Sequence, residues 1–184
     1  MNLTKFLIPE KIVPLKVKII MICEGLPLKR KDYFYSSVNS LYITNTIEAF
    51  NNAGIRVNSI DDIIKKGVYL TVAVKEIRKG LTVQPEVIRK HSNTLEAELN
   101  LFPNVKAILL MGDTAIKALN LLSKRMTRRK VIPEGSTYKI RKGEFFHKNI
   151  RVFPSYLQTG KNFLIEKSKR RMVAEDINNA FKIL

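Results

Sequence analysis

The chain has 184 residues, 45% of them hydrophobic and 27% charged, and its 33 Lys and Arg against 16 Asp and Glu give a formal charge of +17. That length and balance fit one globular domain spanning 1–184 and exclude a disordered or low-complexity chain, while the positive field favours a polyanionic partner. Cys23 is the single cysteine and only two histidines accompany it, so neither a disulfide, a cysteine-ligated cluster nor a zinc site of the thiolate and imidazole type is expected. No cofactor is expected.

The N-terminal stretch is interrupted by Lys5, Glu10, Lys11, Lys16 and Lys18, and the apolar core behind it is too short for a signal peptide or a membrane span. The expectation is a cytoplasmic, monomeric protein without a membrane partner. Val17 to Cys23, "VKIIMIC", reads as a strand covered on both faces. After the loop "EGLPLKRKDYFYSS", Val38, Leu41, Tyr42, Ile47 and Phe50 recur at helical spacing, with Gly54 as the stop. Ser59 is the candidate N-cap of a short helix ended by Gly67, with Asp61 and Asp62 in its first turn.

"VYLTVAV", 68 to 74, predicts the second strand, and Pro85 opens a helix with Val87, Ile88, Leu95, Leu99 and Leu101 turned inward. A third strand is expected over 105–111. A helix then starts at Gly112-Asp113-Thr114, with Asp113 as its N-cap. "SKRMTRRK" reads as a basic loop, and "STYKIRKGEFFHKNIRVF" as a hairpin turning near Lys142-Gly143. An amphipathic segment from Asn162 ends the chain. The alternation of strands and helices predicts an α/β fold, three layers around a mostly parallel four-stranded sheet.

Ligands in such folds sit outside the carboxyl ends of the strands, which points to the loops beginning at Glu24, Lys75, Gly112 and Pro154. Glu24 there is suited to activating water or facing a developing positive charge, and is equally readable as a solvated loop acid or a helix-terminus partner. Gly25 permits close backbone approach, and the Tyr33-Phe34-Tyr35 triplet reads either as core or as a stacking wall. Gly112-Asp113-Thr114 offers free amides but carries no glycine-rich phosphate fingerprint. The basic clusters at 29–31, 124–130 and 167–171 suit either a phosphate backbone or plain solvent. Leu157, beyond Pro154-Ser155, has the profile of an apolar wedge.

In order, Cys23-Glu24-Gly25-Leu26-Pro27, Tyr33-Phe34, "LLMGDTAIKAL" and Phe153-Pro154-Ser155-Tyr156-Leu157 resemble the motifs of the uracil-DNA glycosylase superfamily, nearest its bacterial and archaeal branches, from about Ile19 to the end. The resemblance implies a three-layer fold that flips a damaged base out of DNA and cuts its N-glycosidic bond. It implies Glu24 as the catalytic acid and Phe34 as the stacking platform. Gly25, Val72 and Phe153 fall at base-binding positions, Val72 where many members carry an asparagine and Phe153 where they carry a histidine. Pro154, Ser155, Tyr156, Leu157, Lys161, Lys169 and Arg170 fall on the DNA-binding side. The expected activity is a monofunctional glycosylase acting on uracil or hypoxanthine in DNA. The alternatives are a nucleic-acid-binding member that cuts nothing, or a hydrolase of small nucleosides or nucleotides.

Overall fold

In the computed structural model, residues 9–36, 39–77, 80, 82–159, 163 and 165–184 are described. Val38 and Lys161 lie outside them. The elements in chain order are β1 (Ile19–Leu26), α1 (Leu41–Asn52), α2 (Ile60–Lys65), β2 (Val68–Ile77), α3 (Pro85–Leu99) and β3 (Ala107–Met111). They continue with α4 (Asp113–Thr127), α5 (Thr137–Ile140), β4 (Phe145–His147), β5 (Ile150–Ser155) and α6 (Lys167–Phe181).

The sheet has five strands in the order β2-β1-β3-β5-β4, one more than the four expected. β1, β2, β3 and β5 run parallel, and β4 is the antiparallel edge strand. The additional strand also moves the hairpin turn. Gly143 follows a single helical turn, and the chain reverses instead at Lys148-Asn149, where Lys148 takes φ +51°.

Side-chain alternation along the strands makes two cores. Ile19, Met21, Cys23, Leu70, Val72 and Leu109 face α1, α2 and α6 on one side. Ile20, Ile22, Tyr69, Ile108, Leu110 and Val152 face α3 and α4 on the other. Each aliphatic side chain buried this way contributes about 1.5–3 kcal/mol, and together they clamp three layers.

Local chemistry sets several boundaries. The Ser59 hydroxyl accepts from the Asp62 amide at 3.1 Å, and Pro85 occupies the first turn of α3. Three expectations are corrected. Gly112, with φ +100°, is the N-cap of α4, so Asp113 lies inside the helix and pairs with Lys117. Leu101 is exposed, because α3 ends at Leu99 before its apolar stripe completes another turn. The first five residues of "SKRMTRRK" belong to α4, and the loop begins only at Arg128. Among the described residues no helix is long and apolar enough to cross a membrane.

Candidate functional site

The order β2-β1-β3-β5 puts the topological switch point between β1 and β3, since the chain leaves β1 toward one side of the sheet and returns to the other. Glu24, near the end of β1, and Gly112, just beyond β3, meet there. The Glu24 carboxylate accepts from the Thr114 amide, N to Oε1 3.2 Å, so it sits on the amino end of α4. A fixed negative charge is favoured at that position by the dipole of the helix. Glu24 is 8% exposed, held at the rim with little of its surface open.

Gly112 makes this contact possible. A Cβ at 112 would fall 2.7 Å from Glu24 Oε1, and φ +100° is itself a conformation that other residues rarely adopt. The Gly112 amide also donates to the Ser155 carbonyl at 3.0 Å, which ties the end of β5 to the same corner. Glu24, Gly112 and Ser155 therefore form one cluster at the carboxyl edge, drawn from three strands.

The other sequence-derived positions distribute around it unevenly. Gly25 is buried, and its carbonyl accepts from the Tyr42 hydroxyl at 3.1 Å. Phe34 is 1% exposed, its ring packed against Tyr33 and Tyr42, so neither face is open to a planar ligand in this conformation. Val72 lies inside the sheet in register with Cys23. Phe153 is buried beneath the Arg151 guanidinium, which lies 5.1 Å from its ring centre. Pro154 is buried in β5.

Ser155 is fully buried, and its hydroxyl donates to Asp176 Oδ2 at 2.5 Å. Arg141 holds the same carboxylate from Nη2 at 2.6 Å and Nε at 3.2 Å. Burial pushes the Asp176 carboxyl up to about 6, against the pull of those donors. Tyr156 is half-buried, with the Lys169 ammonium 5.4 Å from its ring centre. Leu157, read as an apolar wedge, is half-buried and packs on the α1/α6 core. Lys169 pairs with Glu166 at 2.7 Å, and Arg170 pairs with Glu48.

Several buried polar groups are absent from the sequence-derived set. Gln158 is fully buried, with its amide nitrogen 3.2 Å from Cys23 Sγ and 3.3 Å from Thr46 Oγ1. Burial pushes the Cys23 thiol up to about 12. Glu98 is fully buried and accepts from Thr71 Oγ1 at 2.7 Å, from Lys75 Nζ at 2.5 Å and from the Tyr69 hydroxyl. Glu98 and Asp176 did leave a signal. Each stands on the apolar stripe of its helix, three residues after the buried Leu95 and Val173, where an acid needs a partner. Gln158 left none, because it lies outside any regular element.

No protein-family model matches the chain, and no curated protein matches it either.

Proposed function

We propose that the carboxyl edge of the sheet is a base-excision site, and that the protein hydrolyses the N-glycosidic bond of a deaminated base, uracil or hypoxanthine, flipped out of DNA. The observation that carries this reading is the Glu24 carboxylate oriented by the Thr114 amide at the switch point of a parallel sheet. The motif order at Glu24, Tyr33-Phe34 and Pro154 to Leu157 supplies the choice of reaction.

In that reaction water adds to C1′ of the sugar as the bond to the base nitrogen breaks, and the base departs with the bonding electron pair. Positive charge develops on the sugar, and a fixed carboxylate stabilises it or takes the proton from the attacking water. Lys169 and Arg170 would exchange Glu166 and Glu48 for backbone phosphates. Leu157 and Tyr156 would move from the core surface into the gap left by the flipped nucleotide.

A second reading, a member of the same fold that binds DNA and cuts nothing, is favoured by the closed state of Phe34 and the engagement of Ser155 with Asp176. One assay separates the two. Single- and double-stranded oligonucleotides carrying uracil or hypoxanthine are incubated with the protein, and abasic sites are cleaved with alkali. Excision that falls about a hundredfold or more in Glu24→Gln is expected. Lesion-selective binding with no excision at high enzyme concentration would leave only the second reading.

A further inference from the structure

A cavity of about 200 Å³ opens between α3, α4 and the β4–β5 turn. Its walls include Ile20 and Ile108 from the sheet, Leu122 from α4 and Phe102 just beyond α3, all of them buried. Ile20 and Ile108 are the second residues of β1 and β3, so the cavity lies at the amino ends of the strands. Glu24 stands near the opposite end of β1, and the cavity is independent of the excision reading.

Four polar side chains join this apolar lining: Glu96, Asn100, His147 and Lys148. His147 is 7% exposed, yet neither ring nitrogen has a hydrogen-bond or ion-pair partner among the described residues. Burial, and then the nearby Lys148 ammonium, hold the imidazole below its ordinary pKa, so at pH 7 the ring is neutral with one N–H to donate. A buried polar group without a protein partner is uncommon in a folded core, and a bound molecule can satisfy it. Water is poorly suited to the task, because the aliphatic wall offers it few hydrogen-bond partners.

The charge around the cavity selects an anion. Glu96 is paired with Arg125 of α4, whereas Lys148 forms no ion pair among the described residues and reaches Asn100 Oδ1 at 3.5 Å. The carboxyl ends of α3 and α4 also meet here, each with a partial negative charge of about half a unit. They are outweighed by residues 124 to 151, which hold ten Lys and Arg against two Glu. Size narrows the choice further. An apolar cavity of about 150 Å³ admits benzene, so this one admits a single ring bearing a carboxylate.

We propose that the cavity binds a single-ring aromatic carboxylate. The ring rests on Ile20, Ile108, Leu122 and Phe102, and the carboxylate accepts from the His147 N–H and the Lys148 ammonium. A cationic head could accept from neither.

The test titrates the wild-type protein with benzoate at pH 7 and follows the methyl resonances of Ile20, Ile108, Leu122 and Met126 by NMR. No DNA is present, so failure of the excision reading would not alter the result. The four residues should shift together and saturate, with a Kd of about 1 mM or tighter. Benzyl alcohol and benzylamine keep the ring without the negative charge and should bind about tenfold or more weakly. Acetate keeps the charge without the ring and should leave the methyl groups unmoved at the same concentration. Lys148→Gly removes the cation and relieves a backbone at φ +51°. It should bind benzoate about fivefold or more weakly, with a melting temperature equal to or above that of the parent. His147→Phe keeps an aromatic ring and removes the N–H donor, for a similar loss of affinity. Methyl groups that do not shift, or that shift without saturating, overturn the proposal. So does equal affinity for benzylamine, or parental affinity for benzoate in both variants.

Discussion

The two edges of the sheet solve one problem in opposite ways. At the β2 edge the Tyr35 hydroxyl donates to the Leu70 carbonyl at 2.6 Å and accepts from the Leu70 amide at 2.9 Å, satisfying the outward-facing backbone groups of that residue. The Tyr35 ring lies nearly parallel to Tyr69, and the Glu98–Lys75 pair is buried behind it. At the β4 edge the strand is three residues long, Phe146 is exposed and Lys148 turns the chain. An unpaired strand edge invites association with another chain, and proteins blunt it by covering it or by keeping it short and charged. Here β2 is covered and β4 is short and charged. Only the second solution leaves a surface on which a partner can rest.

That contrast can be broken by substitution. The largest effect is expected from Glu98→Ala, which strands the Lys75 ammonium in the core beside β2. Loss of about 3–5 kcal/mol is expected from a urea unfolding midpoint, enough to unfold a marginal domain. Tyr35→Phe comes next: it removes one hydroxyl and leaves the donor and acceptor of Leu70 without that partner, for about 1–3 kcal/mol in the same measurement. If the uncovered edge then pairs between molecules, light scattering at rising concentration should detect it. Phe146→Ser on the opposite edge should shift stability by no more than about 0.5 kcal/mol. A large loss there would mean that the β4 edge is also a structural device, and the contrast would fail.

The framework was legible because its signals are local. "VKIIMIC" and "VYLTVAV" are continuous apolar runs of a kind found in central parallel strands, and Ser59 and Pro85 carry their capping chemistry in their own side chains. β4 was hidden because Lys142-Gly143 offers a better turn than Lys148-Asn149, and only pairing with β5 selects the latter. Glu24 was legible as a strand-end acid. A helix-terminus partner was among its readings, but which helix was not, since the amide it meets lies 90 residues away and depends on a glycine whose conformation only the assembled corner requires. Ser155 likewise reads as a rim hydroxyl until α6 brings Asp176 to it, 21 residues on. What escaped the sequence in each case was a long-range partner, whereas the residue type itself was informative.

The sealed thiol of Cys23 has a practical consequence for following either surface in solution. With its sulfur fully buried and held protonated at neutral pH, the native cysteine is a poor target for maleimide or iodoacetamide. A single engineered thiol on an exposed loop would then be the preferred attachment point for a dye, and distances across the molecule become measurable by energy transfer without first deleting the one cysteine the chain possesses.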